Sequence, residues 1–325
     1  MHFLKKHWFL QVLLGGIALA WFRPDWLGWT EHVDPRMVVG LALFLSAFSL
    51  KSRSLYETML KPWPALWALV ISYGLIPGVA CLIGPLLPLV DYRLGLLVAA
   101  SVPCTLASAM LWTRLAHGNE ATALLVTVIS TGTSWLFTTA WLTWGTALEV
   151  KVDSLEMMAG LFFVLVIPFA GGQLLRAVGP LARFSDEYKG ALGVVARLFI
   201  LVVIFKAAVH VRTRLDEQGD AYAVGPLLWT GAVSVGLHLF GLYAGLWSSK
   251  PLGFARSDRV AVAFASSQKT LPVSLYLFDH HFAAYPLAVV PIVFYHVGQL
   301  VVDTFIAEMM VEGKEELPAA EEAIV

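Results

Sequence analysis

Two stretches of this chain hold the residue types that chemistry needs. One reads Ala99-Ala100-Ser101-Val102-Pro103-Cys104-Thr105-Leu106-Ala107-Ser108-Ala109. The other reads Phe264-Ala265-Ser266-Ser267-Gln268-Lys269-Thr270-Leu271-Pro272. Each sets a proline beside small hydroxyl residues inside an apolar run. Proline lacks an N–H and crowds the carbonyl one turn back, so a helix opens there. Carbonyls freed inside lipid must bind something or face protein. The second stretch adds a cation, Lys269, and a charge at membrane depth marks function by default. Its ammonium can balance an anionic substrate, or exchange protons and couple transport to them. It can also form a structural pair with Asp303, which lies four residues from Gln299 on one helical face.

The elements that must hold these stretches are apolar. Of 325 residues, 58% are hydrophobic and 14% charged, against roughly 25% charged in soluble domains. Mean hydropathy is +0.73. A soluble chain of this length cannot cover that much apolar surface. The formal charge is 22 − 23 = −1, with no basic excess to meet nucleic acid. Cys81 and Cys104 lie in apolar runs and suggest neither a disulfide framework nor zinc. No Walker, His-Glu-x-x-His or Gly-x-Ser-x-Gly motif is present, so pumping and hydrolysis have no supporting residues and no enzyme is expected.

Reading for runs of about 20 apolar residues predicts ten spans. The first five are Trp8–Phe22, Met37–Leu50, Leu66–Leu82, Leu94–Leu115 and Ala121–Leu142. The second five are Met157–Leu175, Val194–Val211, Val224–Trp247, Val260–Phe278 and Leu287–Met310. Lys5-Lys6 and the run ending near Ala18-Leu19-Ala20 are read as a first span rather than a cleaved leader. With Lys5 and Lys6 cytoplasmic, 14 of the 22 Lys and Arg fall on that side and 6 on the other, Lys206 and Lys269 lying within spans. That bias places both termini in the cytoplasm. Residues 312–325 are an acidic cytoplasmic tail. The composition leans towards a bacterial inner membrane.

The two broken stretches are the fourth and ninth spans, the fourth of each set of five. Five is odd, so the halves, residues 1–150 and 151–311, have opposite topology. Interrupted segments in matching places of inverted halves point to a transport site. Elsewhere the reading is plainer. Lys206 snorkels to the outer interface near His210. Asp279-His280-His281 is a solvated loop, and His238 and His296 are hydrogen-bonded packing residues. Trp26, Trp29, Trp63 and Trp144 form an interfacial belt.

At the first break the sequence resembles the bile acid:sodium symporter family. Residues 101–110 are similar to that family's Cys-Pro-Gly-Gly-Thr-Ala-Ser-Asn motif. Leu115-Ala116-His117-Gly118-Asn119-Glu120-Ala121 and Val126-Thr127-Val128-Ile129-Ser130-Thr131 resemble its Leu-Ala-x-Gly-Asn-x-Ala and Val-Thr-x-x-Ser-Thr runs. Phe44 to Lys51 and Pro77 in the third span add to the likeness. The resemblance covers residues 35–145 and 255–305, about half of the chain. It implies an all-α polytopic membrane protein of ten transmembrane helices in two inverted five-helix repeats. The broken helices 4 and 9 would cross within a core domain beside a panel domain. Two sodium ions would lie behind the crossing.

The resemblance implies cation ligands at Ser72, Ser108, Thr127, Ser130, Ser267 and Gln268, since sodium takes oxygen ligands as other hard cations do. It implies substrate contacts at Thr105, Asn119, Ser266, Lys269 and Thr270, with Pro103, Pro272, Gln299 and Asp303 as structural or coupling residues. This chain departs from the family at three places. Phe264 stands where the family carries a Glu that binds both sodium ions, Ala109 where it carries Asn, and Lys269 where it carries Asn. The expected function is secondary transport of a small organic anion by alternating access, with sodium as coupling ion and no other cofactor. Two alternatives stay open: a proton-coupled or uncoupled carrier with Lys269 replacing a cation, and a non-transporting membrane regulator. The sequence leaves substrate and oligomeric state unspecified.

Overall fold

The computed structural model describes residues 8–50, 60–105, 108–147, 150–218 and 224–315. Lys5, Lys6, Lys51, Arg53, Leu106, Ala107 and the acidic tail from residue 316 onward lie outside the described residues. Among the described residues every regular element is helical.

α1 (Trp8–Phe22) and α2 (Pro35–Phe48) are joined by a 3-10 segment, Pro24–His32. α3 (Trp63–Leu86), α4 (Val90–Ser101), α5 (Ser108–Leu115) and α6 (Glu120–Gly145) follow. Then come α7 (Ser154–Arg176), α8 (Gly179–Glu187), α9 (Lys189–Gln218) and α10 (Val224–Ser248). α11 (Arg256–Ser267), α12 (Leu271–His281) and α13 (Val289–Glu315) complete the chain. Six of these, α3, α6, α7, α9, α10 and α13, are long and apolar enough to cross a membrane, while α1 and α2 are shorter apolar helices. The fourth and ninth apolar runs are each two helices with an extended joint. Val102 follows α4 at φ −71°, ψ 161°. Gln268 follows α11 at φ −69°, ψ 127°, and Thr270 precedes α12 at φ −88°, ψ 115°.

Local chemistry explains several boundaries. Asp34 caps α2 by accepting from the Arg36 N–H at 2.8 Å, and Asp153 caps α7 by accepting from Leu155 and Glu156. Such caps satisfy donors that the first helical turn leaves free. α3 and α7 each contain one wide π-turn, at Ile71–Leu75 and Phe162–Val166. Pro77 and Pro168 are each the second residue after the turn. A proline supplies no N–H to the ladder, and a wide turn absorbs that loss.

The broken helices form the centre. Residues 260–267 of α11, 271–278 of α12 and 94–101 of α4 are buried on every face, as expected for helices apolar all round. α2 packs on α7 and α9, and α1 packs on α9, as a second group. The outer surface carries Phe22, Leu82, Leu155 and Leu174 exposed, a composition suited to lipid. Trp26, Trp29, Trp63 and Trp144 are also exposed. Side-chain contacts tie helices together at each end of the bundle. At the end read as cytoplasmic, Trp67 donates to Ser248 at 2.8 Å and Arg176 to the Phe48 carbonyl at 2.9 Å. At the opposite end Trp229 donates to the Leu86 carbonyl at 3.1 Å and Arg212 to the Trp21 carbonyl at 3.0 Å.

Small residues allow the closest approach. A Cβ on Gly95 would stand 1.8 Å from the Ala288 carbonyl oxygen, a backbone atom that cannot swing aside. Gly95→Ala should therefore lower the melting temperature in detergent, by an overpacking cost of about 1–3 kcal/mol. An unchanged melt would show that α4 does not seat against the Pro286–Ala288 turn.

Candidate functional site

The joints of the two broken helices meet. The Thr270 N–H donates to the Pro103 carbonyl at 3.1 Å, so backbone crosses backbone at the molecular centre. The two prolines act differently. Pro103 lies in the first extended joint, whereas Pro272 occupies the first turn of α12, where a missing N–H leaves no ladder bond unmade.

Each joint needs partners for its open backbone groups, and one long helix serves each. α6 serves the first: Thr138 donates to the Ser101 carbonyl at 2.8 Å, and Ser130 Oγ accepts from the Cys104 N–H at 3.2 Å. α13 serves the second. Gln299 accepts from the Lys269 N–H at 2.9 Å and donates to the Lys269 carbonyl at 2.9 Å, so its amide stands in for a neighbouring strand. Tyr295 donates to the Ser267 carbonyl at 2.9 Å, and His296 Nδ1 lies 3.2 Å from the Lys269 carbonyl. Tyr295, Gln299 and Asp303 recur every four residues and so share a face. The joints are also tied by side chains, since Ser108 donates to Gln268 Oε1 at 2.7 Å.

Lys269 is 2% exposed. Its ammonium donates to the Ser72 carbonyl at 2.7 Å, to Ser72 Oγ at 2.8 Å and to the Val102 carbonyl at 3.2 Å. It stands 5.5 Å from the centroid of the Tyr73 ring. The expected pairing with Asp303 is not formed. Asp303 instead faces the other side of the joint, where it accepts from Gln268 Nε2 and lies 2.8 Å from His238 Nε2. His238 Nδ1 reaches the Ser267 carbonyl at 3.3 Å. Asp303 and His238 are wholly buried. α3 offers Ser72 to Lys269, and α10 offers His238 to Asp303, so the two charges part.

The structure brings together most residues singled out from the sequence. Ser72, Ser108, Ser267, Gln268, Lys269, Thr270, Pro103, Gln299 and Asp303 line or brace the crossing. Thr105, half-buried, follows the first joint. Thr127 and Ser130 sit on α6 behind Cys104, and their hydroxyls donate to the Ala123 and Thr127 carbonyls. Ser266 and Ser267 likewise donate to the Ala263 carbonyl. Asn119 lies away from the crossing. It caps α6, accepting from Ala121 and Thr122, and donates to Asp258 of α11 at 2.8 Å. His117 before it takes a left-handed φ of 55°, which ends α5, and a Cβ on Gly118 would press on Val260 at 2.7 Å. The Gly-Asn pair thus makes a tight turn. Sequence reasoning missed His238, Tyr73 and Tyr295 as parts of the site. Only the four-residue spacing of polar groups on α13 offered a signal.

A further group of charges lies at the end opposite the one read as cytoplasmic. Lys206 donates to the Val33 carbonyl at 3.1 Å and lies 3.5 Å from Asp279. His280 meets the Arg36 guanidinium and lies 3.6 Å from Glu156. Burial, and then the neighbouring His280, hold the His281 imidazole below its usual pKa. Among the described residues no three His, Cys, Asp or Glu side chains converge as a metal site.

Six membrane-length apolar helices with two interrupted helices crossing in a polar centre define a multi-pass membrane protein of the transporter class. The chain belongs to the SBF-like CPA transporter family (DUF4137), whose model matches residues 7–312. It is 24% identical over 311 residues to sodium/bile acid cotransporter 7 of Xenopus tropicalis, covering 91% of this chain and 89% of that one. The Mus musculus protein of the same name is 24% identical over 310 residues, covering 91% and 90%. A probable chloroplastic sodium/metabolite cotransporter, BASS4 of Oryza sativa subsp. indica, is 27% identical over 322 residues, covering 94% and 75%. The resemblance read over residues 35–145 and 255–305 is thereby borne out, and the family match extends over residues 7–312.

Proposed function

We propose that this chain is a secondary transporter of small organic anions that works by alternating access, a carrier rather than an enzyme. It would cross a cell (inner) membrane ten times with both termini cytoplasmic. Residues 1–150 and 151–311 would be inverted five-helix repeats, with α4/α5 and α11/α12 as the fourth and ninth crossings. One observation carries the reading: two interrupted helices meet backbone to backbone between Pro103 and Thr270, the arrangement from which carriers build a midplane site. The bracing of each joint by the last helix of its half, α6 or α13, supports the repeat.

In this reading α3–α6 and α10–α13 form the core, and α1, α2, α7 and α9 the panel. The contacts of Arg36, Glu156 and Lys206 with His280 and Asp279 link three panel helices to the end of α12. Sliding core past panel would break them, so they would hold the outer end shut. The relatives' names supply sodium as the coupling ion. A second reading, an uncoupled or proton-coupled carrier with Lys269 replacing a cation, is favoured by one observation: Ser72, a position the family's likeness assigns to sodium, is already bonded to the Lys269 ammonium. Sodium does not fit there while that ammonium remains.

The test is uptake of labelled cholate and labelled pyruvate into proteoliposomes under an inward sodium gradient, an inward proton gradient, or neither. Concentrative uptake of either anion under sodium is the expected result of the first reading. Uptake that follows the proton gradient, or runs only downhill, selects the second. No uptake of either anion under any condition overturns both and leaves the regulator.

A further inference from the structure

We infer that the pocket formed by the Ser72 carbonyl, Ser72 Oγ and the Val102 carbonyl is a monovalent-cation site that the chain fills with its own Lys269 ammonium. The inference deepens the second carrier reading, because it fixes where a coupling cation is replaced.

The acceptors have the character of a cation site rather than of an ion pair. All three are neutral oxygens, at 2.7, 2.8 and 3.2 Å from Nζ. They match the three N–H donors of an ammonium one for one. Neutral carbonyl and hydroxyl dipoles also replace the hydration shell of an alkali ion where proteins select one. Two of the three are backbone carbonyls exposed by interruptions. Ser72 lies in the π-turn Ile71–Leu75, and the neighbouring Tyr73 carbonyl there accepts from the Trp141 indole. Val102 lies in the joint after α4. Unbroken helices would have spent both carbonyls on their own ladders. The face of Tyr73 closes one side, with a ring placed to attract a cation, and its hydroxyl is held by the Ser130 carbonyl at 2.7 Å.

The charge balance points the same way. Among the described ion pairs none includes Lys269. Asp303, the carboxylate delivered to the same joint, is occupied by His238 and Gln268. The described partners of the ammonium are therefore neutral oxygens and the Tyr73 ring. A lysine retained only for packing would bring a counter-ion or snorkel to the surface. The side chain thus acts as a tethered cation that never leaves, and the site has no vacancy for a free one.

Truncating the tether should open the site. Purified Lys269→Ala protein in detergent is melted in choline, sodium and n-propylammonium chloride. n-Propylammonium matches the atoms that the substitution removes. The wild-type melt should be equal in all three salts. The variant should melt several degrees lower in choline and recover most of the loss in n-propylammonium, and in sodium, with saturation. If the variant folds only when one of these two cations is present during extraction, the inference also stands. A variant that melts, or fails to fold, alike in all three salts overturns it. Lys269→Met refills the volume without charge and should ignore both cations; a response from Lys269→Met places their binding elsewhere and also overturns it. These readouts need no substrate. Failure of anion uptake beside an intact cation response would sink the carrier reading and leave this site standing.

Discussion

Asp303→Leu should be the most damaging single substitution in this protein. It leaves His238 Nε2 and Gln268 Nε2 buried without their acceptor. Each buried polar group left unpaired costs about 1–3 kcal/mol, because it keeps its desolvation penalty. The detergent melt should fall accordingly, and uptake should be lost. Adding His238→Leu should return part of the stability, since both polar partners are then replaced by apolar groups. The double-mutant cycle should show a coupling of about 1–3 kcal/mol. Additive effects of the two substitutions would mean that His238 and Asp303 do not act as a pair. Asp303→Asn, which keeps an acceptor and the volume, should be milder than Asp303→Leu in the same melt.

Gln299→Leu should come next. Gln299 is the only described side chain bonded to both the N–H and the C=O of Lys269. Leucine has nearly the same volume, so the cavity contribution is small. What is lost is pairing of a buried backbone N–H outright and of a carbonyl in part, since His296 remains near it. At about 1–3 kcal/mol for each unsatisfied buried group, the expected loss is about 2–4 kcal/mol. Gln299→Glu retains an acceptor for the N–H but loses the donor to the carbonyl, so it tests which half matters. Amide hydrogen exchange at Lys269 and Thr270 should speed up in Gln299→Leu while the centre of α6 stays protected. Unchanged exchange at the joint would show that the extended conformation needs no clamp.

How far the site was legible depended on the kind of signal. The position of both breaks was written in Pro103, Pro272 and their hydroxyl neighbours, because proline acts on its own helix. The roles of the two prolines were not, since one lies within a joint and the other starts a helix. Lys269 stood out as a charge in an apolar run. Its pairing with Asp303 was a fair expectation from proximity in neighbouring helices, yet α3 intervenes with two Ser72 oxygens on one side and α10 with His238 on the other. Asn119 was legible as part of a motif. Its task, capping α6 and tying that turn to α11, depends on contact with Asp258, 139 positions away. His238 carried no local mark, as a histidine in an apolar helix looks the same whether it packs or holds a carboxylate.

By itself the sequence determined that this is a multi-pass helical membrane protein, where its two helices are interrupted, and to which transporter family it belongs. Hydropathy and proline are local properties, and a motif is a run of neighbours, so each is readable along the chain. Only the tertiary structure decided what the two buried charges meet. Lys269 finds oxygens at Ser72 and Val102, 197 and 167 positions away, and two of these three acceptors are carbonyls exposed by breaks in other helices. A carbonyl has the same chemistry at every residue. Whether one is free to bind a cation depends on the local course of its helix and on which helix crosses it.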